Sequence, residues 1–309
     1  MIQKRNRYRF TIIFHGHVNF SRMKNFSPLR YPGGKSKLAP FLEQVIRRTC
    51  SSCRTYIEPF AGGAGVALNL LLNGKVENII INDKDKAVYS FWRAILQETD
   101  AFLKKIESTP VTINEWHKQK SIYKTEKKYS LELGFAAFFL NRTNRSGILT
   151  TAGPMGGYAQ SGSWSIDSRY KKIDLIEKIE RISALRHRIK IYNQDIFCFI
   201  RNVIQNHSEE SFVYFDPPYY VKGKKLYHNF FVHDDHVRLA ACIANNVNCP
   251  WVVTYDNLPE IAEIYKNFTC RTFDIEYSVS RRGIGTEIAI FKDENHLPPG
   301  HGKKKLRFL

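Results

Sequence analysis

Four consecutive residues, Asp216-Pro217-Pro218-Tyr219, carry the most chemistry in this chain. They follow Phe212-Val213-Tyr214-Phe215, an apolar run of the kind that forms a strand buried on both faces of a sheet. Two successive prolines remove two backbone donors and restrict the residues before them. The loop is therefore stiff, and it holds the Asp216 carboxylate and the Pro217 carbonyl as fixed acceptors. An amine on an aromatic base is a poor nucleophile, because its lone pair is delocalised into the ring. Acceptors on its two hydrogens localise that pair and stabilise the positive charge that develops during attack. The Tyr219 ring offers a surface on which a base swung out of its helix can stack. A single Asp-Pro is a common surface turn. The full tetrad at a strand end, downstream of a glycine-rich loop, points to chemistry.

That glycine-rich loop is Glu58-Pro59-Phe60-Ala61-Gly62-Gly63-Ala64-Gly65. A strand over Tyr56–Phe60 ends, small residues let the chain turn, and a helix over Val66–Leu72 begins. Such a turn lets a ligand approach backbone and helix N-terminus closely. The lysine and serine of a phosphate-binding P-loop are missing, which argues against a nucleotide triphosphatase. Asp83 closes the next strand, Asn78–Asp83, where a carboxylate can accept from ribose hydroxyls. It can equally be a helix N-cap, a role for which Asp85 competes. The spacing suits a nucleoside cofactor, and NAD and S-adenosylmethionine both fit at this point. Upstream, Tyr31-Pro32-Gly33-Gly34-Lys35-Ser36-Lys37 can aim backbone amides at an anion, with Lys35 or Lys37 in reach. A basic turn capped by Ser36 explains that segment as well.

The elements that must position these residues alternate. After the helix Ala87–Leu96 come further short apolar runs, Ile189–Asn193, Ser211–Phe215 and Trp251–Tyr255. Strands alternating with helices predict an α/β, doubly wound sheet with ligands at the carboxyl ends of its strands. Residues 28–97 and 186–292 form this catalytic unit. Residues 98–185 break the rhythm and read as an insertion. It is mainly helical, including a helix over Leu131–Leu140, and then hairpin-like from Gly147 to Trp164. A second hairpin is expected from Phe273–Val279 and Thr286–Phe291, around the tip Ser280–Gly285. His233-Asp234-Asp235-His236 resembles a metal cluster, but Asp234 or Asp235 as N-cap of a helix over Val237–Ala244 explains it better. Residues 1–27 read as a basic tail, with Met23 a second possible start, and residues 293–309 as a basic C-terminal tail.

Lysine and arginine number 47 against 29 acidic residues, a formal net charge of +18. Such an excess in a globular chain points to a polyanionic partner, usually nucleic acid. No apolar run approaches the roughly 20 residues of a membrane helix, and no leader pattern is legible. Cys50 and Cys53 form a lone C-x-x-C without the second pair that a zinc site needs. Reduced thiols, a cytoplasmic location and no metal are the expectation.

Leu29 to Lys35, Glu58 to Gly65, Asn82-Asp83, Phe139-Leu140-Asn141-Arg142, Asp195 and Asp216 to Tyr219 occur in this order over residues 28–292. On these motifs the chain resembles the Dam-type, or D12-class, adenine-specific DNA methyltransferases. The resemblance implies a Rossmann-like methyltransferase sheet with an inserted target-recognition domain. It implies S-adenosylmethionine surrounded by Tyr31, Gly33, Lys35, Glu58, Phe60, Gly62, Gly63, Gly65, Asp83, Asp195 and Asp216. Asp83 is expected on the ribose and Asp195 near the adenine. Asp216, Pro217, Pro218 and Tyr219 form the implied catalytic loop. Double-stranded DNA is the implied partner, and the enzyme is expected to act as a monomer, alone or in a restriction–modification or phage-defence setting. Contacts to DNA are expected from Lys35, Arg142, Asn144, Arg145, Ser146, Ile148 and Leu149, with Arg145 the base reader. The Thr143–Leu149 stretch departs from the best-known Dam pattern, so a GATC site does not follow. The catalytic loop alone also leaves open cytosine N4 and RNA adenine as acceptors. The intact tetrad and Asp83 argue against a DNA-binding protein without catalysis.

Overall fold

A computed structural model describes residues 26–30, 35–50, 52–207, 209–220, 231–277 and 283–297. The expectations for Tyr31, Gly33, the N-terminal tail up to residue 25, the hairpin tip at 278–282 and the basic cluster of the C-terminal tail lie outside these residues.

Seven strands form one sheet in the order β3-β2-β1-β4-β5-β7-β6. They are β1 (Thr55–Glu58), β2 (Asn78–Asn82), β3 (Ile189–Tyr192), β4 (Ser211–Phe215), β5 (Trp251–Asp256), β6 (Thr269–Tyr277) and β7 (Gly283–Phe291). β1 to β5 pair in parallel, and β7 runs antiparallel between β5 and β6. Alternate side chains of each strand serve opposite faces. Tyr56, Ile79, Ile81, Phe212, Tyr214 and Val252 face the layer of α1 (Ala39–Thr49), α2 (Gly65–Leu72) and α3 (Lys86–Gln97). Ile57, Ile80, Val213, Phe215 and Val253 face α8 (Ile196–Phe199), α9 (His233–Asn246) and α10 (Pro259–Ile264). This is the expected α/β, Rossmann-like sheet, doubly wound with helices on both faces. The chain order reverses between β1 and β4, and open α/β sheets bind ligands at the carboxyl ends of the strands at such a switch point.

Residues 98–185 supply α4 (Thr99–Ser108), α5 (Ile113–Thr125), α6 (Leu131–Thr143) and α7 (Lys172–Ala184). α6 is buried from Leu133 to Thr143. It crosses α3 so closely that a Cβ on Gly134 would lie 2.6 Å from the Ser90 carbonyl oxygen, which only glycine allows. Phe91 of α3 stacks on Phe138 of α6 at 5.8 Å. These helices thus share one core with the sheet's first face.

The hairpin expected from Gly147 to Trp164 does not form. The segment holds a short 3-10 turn at Arg145–Gly147 and a single antiparallel bridge, Asn144 to Pro154. Ser146, Gly147, Gly156, Gly157 and Gln160 all take positive φ, from 50° to 79°, which interrupts any extended run. Gln160 staples the loop instead: its Nε2 donates to the Met155 and Gly157 carbonyls at 2.8 and 2.6 Å, and its Oε1 accepts from the Ile166 amide at 2.8 Å.

Two smaller expectations also change. Cys50 and Cys53 are joined in a disulfide rather than kept as free thiols. The turn after α1, in which the Cys53 amide donates to the Cys50 carbonyl at 3.1 Å, brings the two side chains together. α9 starts at His233, with Val232 as its N-cap residue. Asp235 is the third helical residue, and its Oδ2 accepts from the Val232 amide at 3.1 Å, so neither Asp234 nor Asp235 is the cap. Among the described residues no helix is long and apolar enough to cross a membrane.

Candidate active site

The chain leaves β1 at Glu58 and turns through Gly62 and Ala64, both with positive φ (46° and 47°), into α2. A Cβ on Gly65, the first residue of α2, would stand 3.2 Å from Ser36 Cβ, which packs the helix start against the residues around Lys35. Glu58 Oε2 accepts from the Ala67 amide at 3.1 Å and so ties strand to helix. Burial pushes the Glu58 carboxyl well above the usual range. Trp92 of α3 donates from Nε1 to the Gly62 carbonyl at 2.9 Å and fixes the turn from below.

Asp83 follows β2 and faces this turn. Its Oδ2 accepts from the Gly62 amide and its Oδ1 from the Asp85 amide, both at 2.8 Å. Burial, with the Asp85 carboxylate adding to it, raises the Asp83 carboxyl to about 7. The cap of α3 is Asp85, which accepts from Ala87 and Val88. Asn82 was missed by sequence reasoning as a separate player, although it adjoins Asp83. Its Nδ2 donates to the Pro59 and Gln194 carbonyls at 3.0 and 3.1 Å, and its Oδ1 accepts from the Gln194 amide at 2.9 Å. One buried amide therefore clamps the loops after β1 and β3. Asp195, beyond β3, accepts from the Phe197 amide at the start of α8 and pairs with Lys84 at 3.0 Å. Phe60 is half-buried, with its ring edge-on to Phe231 at 6.0 Å.

On the other side of the switch point β4 delivers Asp216. Its Oδ1 accepts from the Thr254 hydroxyl at 3.2 Å and lies 3.4 Å from Lys35 Nζ. Thr254 Oγ1 stands 2.7 Å from the Tyr214 hydroxyl. Burial raises the Asp216 carboxyl to about 6, against the opposing pull of Lys35. The carboxylate is still 22% exposed. Lys35 is buried, and its Nζ also donates to the Tyr219 hydroxyl at 2.7 Å and to Glu287 Oε1 at 3.0 Å. Burial alone would pull Lys35 down, but the Asp216 and Glu287 carboxylates outweigh it and hold the ammonium above the ordinary lysine value. Tyr219 is 4% exposed, and its hydroxyl donates to Glu287 Oε1 at 2.9 Å. Pro217 is buried and Pro218 half-buried. Thr254 and Glu287 escaped sequence reasoning. The only trace of them is a polar residue inside each of two apolar runs, Trp251–Tyr255 and Thr286–Phe291.

Of the residues expected on DNA, Lys35 is buried in the cluster just described, and the others lie at or after the end of α6. Arg142 and Asn144 are buried. Arg142 Nε donates to the Arg169 carbonyl at 2.8 Å, and burial, with Arg30 nearby, pulls its guanidinium down to about 10. Asn144 accepts from Trp116 Nε1 and donates to the Ile148 carbonyl, both at 2.7 Å. Leu149 is buried, and Ser146 and Ile148 are half-buried. Arg145 is exposed. The same loop exposes Tyr158, which stacks on His117 at 5.9 Å, and Trp164, which lies under Arg169 at 5.5 Å.

Asn141, the neighbour of Arg142, holds the chain just ahead of the 31–34 segment. Its Oδ1 accepts from the Arg30 amide at 2.6 Å, and its Nδ2 donates to the Arg30 and Gly147 carbonyls at 2.9 Å each. Asn141→Ala should cost about 1–3 kcal/mol of stability through backbone groups left without these partners. Thermal unfolding measures the effect, and an unchanged Tm would show that solvent replaces the lost bonds at no cost.

The profile of the D12 class N6 adenine-specific DNA methyltransferases matches residues 31–279. The chain belongs to this class. Among relatives of this D12-class enzyme, the type II methyltransferase M.MjaIII of Methanocaldococcus jannaschii is 24% identical over 234 residues, covering 69% of this chain and 77% of that one. The type II methyltransferase M.CviBI of Paramecium bursaria Chlorella virus NC1A is 23% identical over 266 residues, 84% and 95% of the two chains. A solved rRNA methyltransferase, AviRa from Streptomyces viridochromogenes, overlaps 86% of this chain and 88% of its own at 15% identity, with a TM-score of 0.38.

The D12-class enzyme is thus an S-adenosylmethionine-dependent DNA adenine methyltransferase, and its own residues fit that cofactor. Gln194 Oε1, at the carboxyl edge of the sheet, is buried without a hydrogen-bond partner among the described residues. An exocyclic amine such as the cofactor's is the donor it lacks. Asp83 meanwhile presents a carboxylate at the glycine-rich turn, where ribose hydroxyls are suitable donors.

Proposed function

We propose that this enzyme methylates adenine N6 at specific sites in double-stranded DNA, with Asp216 and the Pro217 carbonyl as acceptors for the target amine. The observation that carries this reading is the Asp216 carboxylate itself. It stands at the end of β4, held by Thr254, partly open, across the switch point from the glycine-rich turn. S-adenosylmethionine supplies an electrophilic methyl group. Asp83 and Gln194 orient the cofactor, and Asn82 keeps their two loops in register. Asp216 draws electron density from an N–H bond of the amine toward nitrogen, and its charge offsets the positive charge that develops there. Already hydrogen-bonded to the amine, Asp216 is placed to take the surplus proton after transfer. The type II relatives support a restriction–modification setting. Labelled methyl transfer onto DNA, followed by nucleoside analysis, tests the reading. Label in N4-methylcytosine, or in RNA alone, would overturn it.

We assign target recognition to residues 98–185 and the reading of bases to the loop that begins at Arg145. Arg142 and Asn144, occupied inside the protein, support this loop from below. Arg145→Ala should cost about 1–3 kcal/mol on the proper site and relax one position of the recognised sequence. Sequencing of the sites methylated by the variant decides between roles. An unchanged motif with uniformly lower methylation, and a salt slope smaller by about one, would make Arg145 a phosphate contact instead.

A further inference from the structure

Glu287 belongs to none of the loops that carry the motifs. It lies in the middle of β7, opposite Asp256 of β5 and Phe273 of β6, and is 0% exposed. A carboxylate at such a place needs charged or hydrogen-bonding partners to be tolerated. It has them in the catalytic cluster. Lys35 Nζ is 3.0 Å from each of its oxygens, and the Tyr219 hydroxyl is 2.9 Å from Oε1. The same ammonium is 3.4 Å from Asp216. One buried cation therefore stands between two carboxylates and sits closer to the one that is further from solvent.

We propose that Glu287 is a positioning residue for methyl transfer: it retains the Lys35 ammonium and the Tyr219 hydroxyl, so that Asp216 stays available as acceptor for the target amine. This rests on the reading of Asp216 given above. Without the Glu287 charge, Lys35 has one carboxylate left to pair with. It then closes on Asp216 and competes with the amine for the oxygens that polarise it. Tyr219 loses its anchor at the same time. The geometry also sets the sign of a pH effect. Glu287 adds to the rise of the Asp216 carboxyl and Lys35 opposes it, so loss of the Glu287 charge lowers the acid limb of the pH–rate profile. Other titratable groups that bear on the cluster are Glu58 and Tyr56 of β1, Tyr214 of β4, and Tyr255 and Asp256 of β5. They are unchanged in the variants below.

The test uses the full chain, unmethylated plasmid DNA and labelled S-adenosylmethionine. Glu287→Gln should lower kcat by up to about 100-fold, the scale on which a misplacement of reacting groups by about 1 Å acts. Cofactor affinity by calorimetry should change little, and the acid limb of kcat/KM should move to lower pH. Glu287→Asp keeps the charge and should recover part of kcat, with the limb near its parental position. If Glu287→Gln does not fold, Glu287→Asp carries the test alone, since the shorter side chain withdraws from Lys35 and Tyr219 and should slow kcat at parental cofactor affinity. A folded Glu287→Gln enzyme with parental kcat, or with an unmoved acid limb, overturns the proposal, as does parental kcat in Glu287→Asp when only that variant folds. Asp216→Ala, measured alongside, separates the two readings. Full activity there removes the Asp216 reading, whereas a dead Asp216→Ala beside a normal Glu287→Gln removes only the role of Glu287.

Discussion

Asp216→Ala lowers methyl transfer by about 10²-fold or more while S-adenosylmethionine affinity stays close to that of the parent. The size follows from removing one preorganised acceptor at the atom where charge develops. The selectivity follows from location: Asp216 engages Thr254 and Lys35, whereas Asp83, at the end of β2, holds the turn after β1. Burial raises the Asp216 carboxyl to about 6, which fixes a pH signature. The ionised form is the better acceptor, so kcat/KM of the parent falls as pH drops through about 6. Asp216→Asn keeps an acceptor of the same shape without the charge, so it should be slow and should lack that acid limb. Linkage gives a second consequence. The folded-state value lies above the ordinary aspartate value, so the contribution of Asp216 to stability is full at low pH and is lost as pH rises through about 6. At pH 8 the Asp216→Asn enzyme without ligands should therefore melt above the parent. Turnover near parental rates by a folded Asp216→Ala enzyme would end this account of the chemistry.

Asp83→Ala acts on the other substrate. Ribose hydroxyls lose a charged acceptor, which weakens S-adenosylmethionine binding by roughly 1.5–3 kcal/mol, about 10- to 150-fold. Alanine also abandons the Gly62 and Asp85 amides, so part of its effect comes from a loosened turn. Asp83→Asn separates the two causes, since its one carbonyl oxygen can keep one of those amides. If the turn is what matters, the asparagine variant binds cofactor nearly as well as the parent. If the charge matters, it is nearly as weak as alanine. Calorimetry with unchanged affinity in both variants would leave Asp83 with a purely structural part. Burial raises the Asp83 carboxyl to about 7, so cofactor affinity in the parent should also decline as pH falls below that value.

What the sequence disclosed, it disclosed through local pattern. Ser211–Phe215 is a strand because five consecutive residues are buried, and Asp216 inherits its place from that strand. Asp85 caps its helix by hydrogen bonds within three residues, which a short motif can encode. Thr254 and Glu287 reach Asp216 and Lys35 through the register of β5 and β7, a relation between segments far apart in the chain. Composition could not reveal that register. The segment after Asn144 was misread for a different reason. Its glycines and serines fit a hairpin on composition, but five positive-φ positions and the Gln160 staple give it a coiled course without a ladder. Arg142 shows the same limit, because a basic residue ahead of a polar loop looks like a DNA contact until its partner proves to be the Arg169 carbonyl.

The close crossing of α6 over α3 bears on how this enzyme can diversify. With Gly134 pressed on Ser90 and Phe138 stacked on Phe91, the helices of residues 98–185 are not a cassette that can be exchanged for another enzyme's while the sheet and its layer stay untouched. A foreign α6 would bring its own side chains to a crossing that admits none at that position. That constraint does not reach the turn-rich stretch between Asn144 and Lys171, whose ends are held by Trp116, Asn144 and Arg142 and whose exposed face carries Arg145, Tyr158 and Trp164.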